Sequence, residues 1–410
     1  MLVGATAARA QEPLEPSRAG ARATAARPRQ TVLTLPPLAL YIHLPWCERK
    51  CPYCDFNSYQ REAQPPFAAY AARLLVDLGQ DRGFAAGREA GSIFIGGGTP
   101  SLFPAEVVDL LLAGVRERLA LAPDAEVTLE ANPGSAEAAR FRGYCAAGVN
   151  RLSIGVQSFA DSCLRALGRV HDAREAHAAI AAARGAGFAS FNIDLMHGLP
   201  QQSPAMALAD LEQAIAHEAP HLSWYQLTVE PNTAFHSAPP LLPAEDELAE
   251  IQDRGEELLA RHGYEQYEVS AWARPGHQCR HNLNYWHFGD YIGIGAGAHG
   301  KITLPGQGRV LRTRKTRVPR DYLAGAAPSI RTDTAVAPGE LALEFLMNAL
   351  RLRKGTSVAR FEARTGLAAA TIGTQLGALR ARGLMESDPA RLCTTALGFR
   401  YLNAVLAEFA

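Results

Sequence analysis

From residue 38 to about residue 228, short runs of β-favouring residues alternate with longer stretches whose apolar residues recur at helical spacing, and this alternation restricts the fold most. Strands are expected over 38–43, 92–95, 125–130, 151–155, 188–195 and 221–228, with helices over 67–78, 105–119, 136–147, 173–185 and 206–217. Repeated βα units set strands parallel and lay helices against the sheet, so the class is α/β and the architecture a partial barrel of six such units. In barrels of this kind the functional loops leave the carboxyl ends of the strands. The polar and glycine-rich positions fall there: a cysteine cluster after the first strand, Gly96-Gly97-Gly98-Thr99-Pro100 after the second, then Glu130, Gln157 and Asp194 at the third, fourth and fifth. Five strands converging such ends on one rim is harder to obtain by chance than any single motif.

The cluster is Cys47-x3-Cys51-x2-Cys54. Three thiolates on one short loop can hold a cubic 4Fe–4S cluster by three irons, leaving the fourth open to a small exchangeable ligand. The alternative is a closed zinc site with His43 or a distant residue as fourth donor, although no second C-x2-C pair follows. The other cysteines, Cys145, Cys163, Cys279 and Cys393, are scattered, and a total of seven is not a disulfide framework; it suits a reducing cytoplasm.

Lysine plus arginine equals aspartate plus glutamate at 41 each, so the overall charge steers toward neither nucleic acid nor an acidic surface. No apolar run approaches the roughly 20 residues of a spanning helix. Residues 1–36 form an Ala/Arg/Pro-rich tail with no apolar face and are expected not to fold; an arginine-rich targeting segment is the other reading. The core barrel is expected over 37–275, and a segment over 276–338 holds a histidine and aromatic motif and a basic run from Arg309 to Arg320, read as a solvated linker. A C-terminal, mainly helical, winged-helix-like unit is expected over 339–410. Nine basic against six acidic residues there, with no basic stripe, do not indicate nucleic-acid binding.

Glu130 and Asp194 are carboxylates able to accept two hydroxyl bonds from a ribose or to pair with an ammonium; a buried ion pair would look the same. Arg169 can meet a ligand carboxylate, and the glycine run can approach a ligand closely, aiming amide hydrogens at an anion or bonding an amino group. The glycines of 291–300 suggest a dinucleotide loop but open no helix, so close backbone packing is the better account. Cys279-Arg-His281-Asn282-Leu-Asn-Tyr285-Trp286-His287 sets iron-ligand types beside aromatic faces that could grip a flat macrocycle, with His281 axial; the competing reading is a core of satisfied histidines.

The run Tyr41-Ile-His-Leu-Pro-Trp-Cys47 to Phe56 resembles the cluster motif of radical S-adenosylmethionine (SAM) proteins, and the resemblance extends to the C-terminus through the porphyrin branch of that superfamily. It implies that Cys47, Cys51 and Cys54 ligate a 4Fe–4S cluster and that Tyr41, Tyr53, Gly97, Gly98, Thr99, Glu130, Gln157, Arg169 and Asp194 line a SAM pocket. Within the branch, the oxygen-independent coproporphyrinogen III dehydrogenase carries a further cysteine where this chain has Phe56. The His281-Asn282-x-x-Tyr285-Trp286 pattern instead resembles the heme-binding motif of the branch's heme chaperones. The resemblance therefore implies a cytoplasmic carrier of heme that passes it to heme-accepting proteins, with transient contact with membrane-bound heme proteins among the expected encounters, and the dehydrogenase as the alternative.

Overall fold

A computed structural model describes residues 32–134, 138–188, 190–325 and 330–410. All six expected strands form: β1 (Leu38–Leu44), β2 (Ala90–Gly97), β3 (Leu121–Ala131), β4 (Arg151–Gln157), β5 (Ser190–His197) and β6 (His221–Gln226). They pair in parallel in chain order. With no reversal of strand order there is no switch point, and right-handed crossovers put the helices on one face, as in a barrel. The helices α1 (Phe67–Asp81), α2 (Ala105–Arg116), α3 (Phe141–Ala146), α4 (Ala173–Gly185) and α5 (Pro204–Ala216) occupy the crossovers. Part of the helix expected over 136–147 and most of the 1–36 tail lie outside the described residues.

Strand alternation then sorts the side chains. Leu40, Ile42, Ile93, Ile95, Val127, Leu129, Leu152, Ile154, Ile193 and Leu195 join the helices in the main apolar core. The intervening positions, among them Tyr41, His43, Ser92, Glu130, Ser153, Gln157 and Asp194, face the other way, into the barrel. At about 25 cal/mol per Å2, burying the outward set drives assembly, while the inner face stays free to be polar.

Beyond β6 the chain departs from expectation. After α6 (Glu245–Arg261), β7 (Glu265–Glu268) and β8 (Ala271–Ala273) extend the sheet past β6, and α7 (Arg280–Trp286) follows. Then β9 (Asp290–Ile294) pairs in parallel with β1, and β10 (His299–Leu304), β11 (Arg309–Lys315) and β12 (Arg331–Ala335) continue antiparallel, completing a 12-stranded sheet. The basic run expected as a solvated linker is therefore mostly a strand. Lys315 lies buried with its ammonium on Asp77 and on Asp81 at 2.7 Å, and Arg312 pairs with Glu344. Those acids sit in α1 and far downstream, so charge that reads as solvent-facing is neutralised in the fold.

The glycines of 291–300 do serve close packing: a Cβ on Gly293 would lie 1.9 Å from the His299 carbonyl oxygen, and one on Gly295 2.4 Å from that of His43. A second core, including Phe288, Val310, Phe345, Phe361, Leu379 and Val405, gathers the C-terminal helices and a small two-stranded antiparallel sheet in which Thr356–Ser357 pairs with Arg391–Leu392.

Candidate cofactor site at the barrel mouth

The cysteine loop leaves β1 and is fastened at both ends. Trp46–Cys47 pairs in parallel with Tyr59–Gln60, and Lys50 Nζ donates to the carbonyls of Phe56 and Ser58, each at 3.2 Å. Cys47 is buried, Cys51 and Cys54 half-buried, and all three are free thiols. Burial pushes the Cys47 thiol up to about 11 and raises that of Cys54, so holding these sulfurs as thiolates calls for strong positive charge beside them. Arg169 Nη1 approaches Cys51 Sγ at 3.6 Å, and Ser58 Oγ lies 3.6 Å from Cys54 Sγ. Among the described residues no three His, Cys, Asp or Glu side chains form a donor set for a single ion. A cubic cluster needs no such convergence, because each thiolate takes its own iron.

His43, weighed above as a zinc donor, is committed elsewhere. Its Nδ1 lies 2.9 Å from the Tyr41 hydroxyl and its Nε2 2.9 Å from the Asn57 carbonyl oxygen. Burial lowers it to about 4, leaving it a neutral brace between β1 and the end of the cysteine loop.

The glycine run packs directly on that loop. A Cβ on Gly98 would lie 2.6 Å from the Trp46 carbonyl oxygen, and Gly97, at φ 120°, would put one 2.6 Å from the His43 ring. The Gly97 amide donates to Glu130 Oε2 at 3.1 Å, that of Gly98 to Leu44 O at 2.8 Å and that of Thr99 to Trp46 O at 2.7 Å. These amide hydrogens are therefore not available to a ligand carboxylate; a run so placed can still offer carbonyl oxygens to an amino group.

Inward positions of successive strands carry the rest. Burial, then the neighbouring Asp194, pushes the Glu130 carboxyl from 4.5 up to about 7. Asp194 is also raised by burial, while accepting from Ser153 Oγ at 3.0 Å and Asn192 Nδ2 at 2.7 Å. Gln157 sits in the left-handed region at φ 67°, its Oε1 accepting from the Tyr225 hydroxyl at 2.7 Å. Arg169 Nη2 donates to Asn132 Oδ1 at 2.8 Å and Gly155 O at 2.9 Å, and its Nε is buried with no partner. Asn132 Nδ2 in turn donates to Thr99 Oγ1 at 3.1 Å. Tyr53, in the cysteine loop, packs on Phe235 with ring centroids 6.3 Å apart. Asn132, Ser153, Asn192 and Tyr225 were not singled out in the sequence; the available signal was their inward register on β4, β5 and β6, or, for Asn132, its place one residue past β3.

The His281 motif is placed differently from its expectation. It forms α7, packed on the inner face of β1 and β2. His281 is 0% exposed, its Nδ1 3.0 Å from Ser92 Oγ, its Nε2 2.9 Å from the Tyr285 hydroxyl, and its ring 5.1 Å from that of Phe94. Trp286 is buried under the Arg351 guanidinium at 4.4 Å, while Asn282 and Tyr285 are half-buried. A histidine with both nitrogens engaged and no exposed surface offers no axial nitrogen, so the residues do not fit a heme as arranged. The competing reading, a core of satisfied histidines, is the one the structure takes.

Comparison with known proteins defines the class. The radical SAM superfamily pattern matches residues 41–214 and that of the HemN C-terminal domain residues 336–401. In fold the chain is similar to coproporphyrinogen III oxidase (HemN) from Escherichia coli, described as a radical SAM enzyme, with TM-score 0.76 at 23% identity over 92% of this chain and 90% of that one. In sequence it is 53% identical over 378 residues to the heme chaperone HemW of Escherichia coli (strain K12), covering 92% of this chain and 99% of that protein. It is 46% identical to the heme chaperone HemW of Haemophilus influenzae, over 92% of this chain and 98% of that one. It is also 41% identical to a mitochondrial radical S-adenosyl methionine domain-containing protein 1 of Mus musculus, over 73% and 70% of the two chains. The chain belongs to the radical SAM superfamily and, within it, to the family of heme chaperones called HemW. No helix among the described residues is long and apolar enough to cross a membrane.

Proposed function

We propose that this protein is a cytoplasmic heme chaperone that holds a 4Fe–4S cluster on Cys47, Cys51 and Cys54, binds SAM in the pocket above Glu130 and Asp194, and hands heme to acceptor proteins, including membrane-bound ones. The observation that carries it is the 53% identity with a heme chaperone over nearly the whole of both chains. Phe56, where the dehydrogenase's additional cysteine is expected, supports the same reading.

A bound cluster supplies an open iron able to chelate an amino-acid end and an electron source beside a sulfonium. The chain's own groups do the positioning. Arg169 ties Cys51 to Asn132 and Gly155, coupling the cysteine loop to the rim of β3 and β4. Glu130 and Asp194 present acceptors where ribose hydroxyls or an ammonium would seat, and Tyr41, Tyr53 and Tyr225 wall the pocket against water. A transfer assay tests the proposal: reconstituted protein preloaded with heme is mixed anaerobically with an apo heme enzyme and the acceptor's activity followed. Restoration is expected, and protoporphyrinogen formed from coproporphyrinogen III at catalytic turnover, without transfer, would overturn the chaperone reading for the dehydrogenase.

A further inference from the structure

One cross-strand pair at the end of the strands β10 and β11 is unspent. Their register pairs His299 with Arg314, Gly300 with Thr313, Lys301 with Arg312 and Ile302 with Leu311. Residues directly opposite project to the same side, their Cβ atoms about 5 Å apart. Ile302 and Leu311 enter the main core and Lys315 reaches α1, so that side is committed to folding. On the other side Lys301 is buried on Asp290 and Arg312 is held by Glu344 and by the Tyr291 hydroxyl at 3.1 Å. His299 and Arg314 remain, both exposed, and neither side chain makes a hydrogen bond or ion pair among the described residues.

The backbone beneath them is tightly fixed. A Cβ on Gly300 would fall 2.4 Å from Thr313 Oγ1, in addition to the Gly293 contact with the His299 carbonyl. The same corner is bolted to the cysteine loop: Asn57 Nδ2 donates to the carbonyls of Ala296 and Arg317, each at 2.9 Å, and the Tyr59 hydroxyl to that of Arg317 at 3.3 Å. On either side of the Asn57 to Arg317 contact stand two large apolar side chains left in water, Phe56 at 43% and Val318 at 39% exposure, and Arg317 is itself exposed.

An accessible imidazole, an unpaired guanidinium beside a second one engaged only through its Nε, on Asn57 Oδ1 at 3.4 Å, and exposed apolar side chains are what a flat, iron-bearing, dicarboxylate macrocycle asks for, and the buried His281 supplies none of the first. We propose that ferric heme docks on this surface, with His299 as its axial ligand, Arg314 and Arg317 on its carboxylates, and Phe56 and Val318 against the ring. The assignment rests on the heme-carrying function proposed above. Partial burial, then Arg314, Arg312 and Arg317, lower the His299 pKa, which favours the neutral imidazole that binds metal. The basic strand thus acquires a use that its sequence alone did not disclose.

The test is titration of the cluster-reconstituted protein with hemin, followed by Soret absorbance and electron paramagnetic resonance. His299→Ala is expected to shift the Soret band and weaken binding about tenfold, and His299→Cys to give a thiolate-ligated spectrum. Arg314→Glu is expected to weaken binding about tenfold with the ligand signature unchanged. Circular dichroism of each variant checks that folding is intact. Wild-type spectra and affinity in both His299 variants, with a changed spectrum in His281→Asn, would overturn the placement while leaving the chaperone reading standing. Failure of the wild-type protein to bind hemin would overturn both.

Discussion

Replacing Glu130 by glutamine separates what this carboxyl costs the fold from what it gives the pocket. Burial and Asp194 move it from 4.5 to about 7, so the folded chain binds its proton more tightly than the unfolded chain does. For a carboxyl raised in this way, the native state is favoured while the group is protonated. That advantage is lost as pH rises from 4.5 through about 7 and is then constant. At about 1.4 kcal/mol per decade of proton affinity, the ionised group costs the empty protein about 3 kcal/mol at pH 8 and a little over 1 kcal/mol at pH 5.5. Glutamine keeps an oxygen for the Gly97 amide and carries no charge. Glu130→Gln is therefore expected to stabilise SAM-free protein, its advantage over wild type growing by about 2 kcal/mol between pH 5.5 and pH 8. Urea unfolding of both proteins at the two pH values, under anaerobic conditions, measures it. The same variant is expected to bind SAM at least about tenfold more weakly by isothermal titration, since an acceptor pair for the proposed ribose or ammonium is halved. An advantage that does not grow with pH would refute the reasoning, because it would mean that the carboxyl is not desolvated.

Cys51→Ser is expected to leave iron and acid-labile sulfide near background after anaerobic reconstitution; undiminished stoichiometry would remove Cys51 from the ligand set. Gly98→Ala drives a methyl into the Trp46 carbonyl, 2.6 Å away, and should cost about 2 kcal/mol in urea unfolding together with faster loss of iron. Lys315→Met leaves Asp77 buried without its cation while Asp81 keeps Arg331, an expected loss of about 3–5 kcal/mol at pH 7 that shrinks as pH falls and the Asp77 carboxyl, raised by burial, takes up its proton, read from the same unfolding curves. Arg169→Met frees the Cys51 thiol, Asn132 and the Gly155 carbonyl at once and should weaken SAM binding more than about tenfold by titration, with secondary structure unchanged by circular dichroism.

The parallel half of the sheet was legible because each strand writes two messages at period two: Leu40 and Ile42 toward the helices, Tyr41 and His43 toward the interior. The rim residues were legible for the same reason, since a carboxylate such as Glu130 at a strand's end has few structural excuses. The added strands β9 to β12 were not. In Arg309–Lys315 the buried Lys315 and the half-buried Arg312 find their partners in Asp77, Asp81 and Glu344, tens to hundreds of residues away, and a local reading sees only solvated charge. His281 is the opposite case: its residue type left a ligand and a core histidine both open, and only the fold brings Ser92, Phe94 and the Tyr285 hydroxyl around it.

Because α7 lies against the inner face of β1 and β2 with His281 wholly enclosed, that end of the barrel interior is stopped with protein. On the function proposed above, a guest seated at Glu130 and Asp194 would therefore enter and depart on the side of the cysteine loop. Loading would, on that same function, be last in, first out: a bulky visitor parked across the rim would trap the smaller tenant below until it moved on.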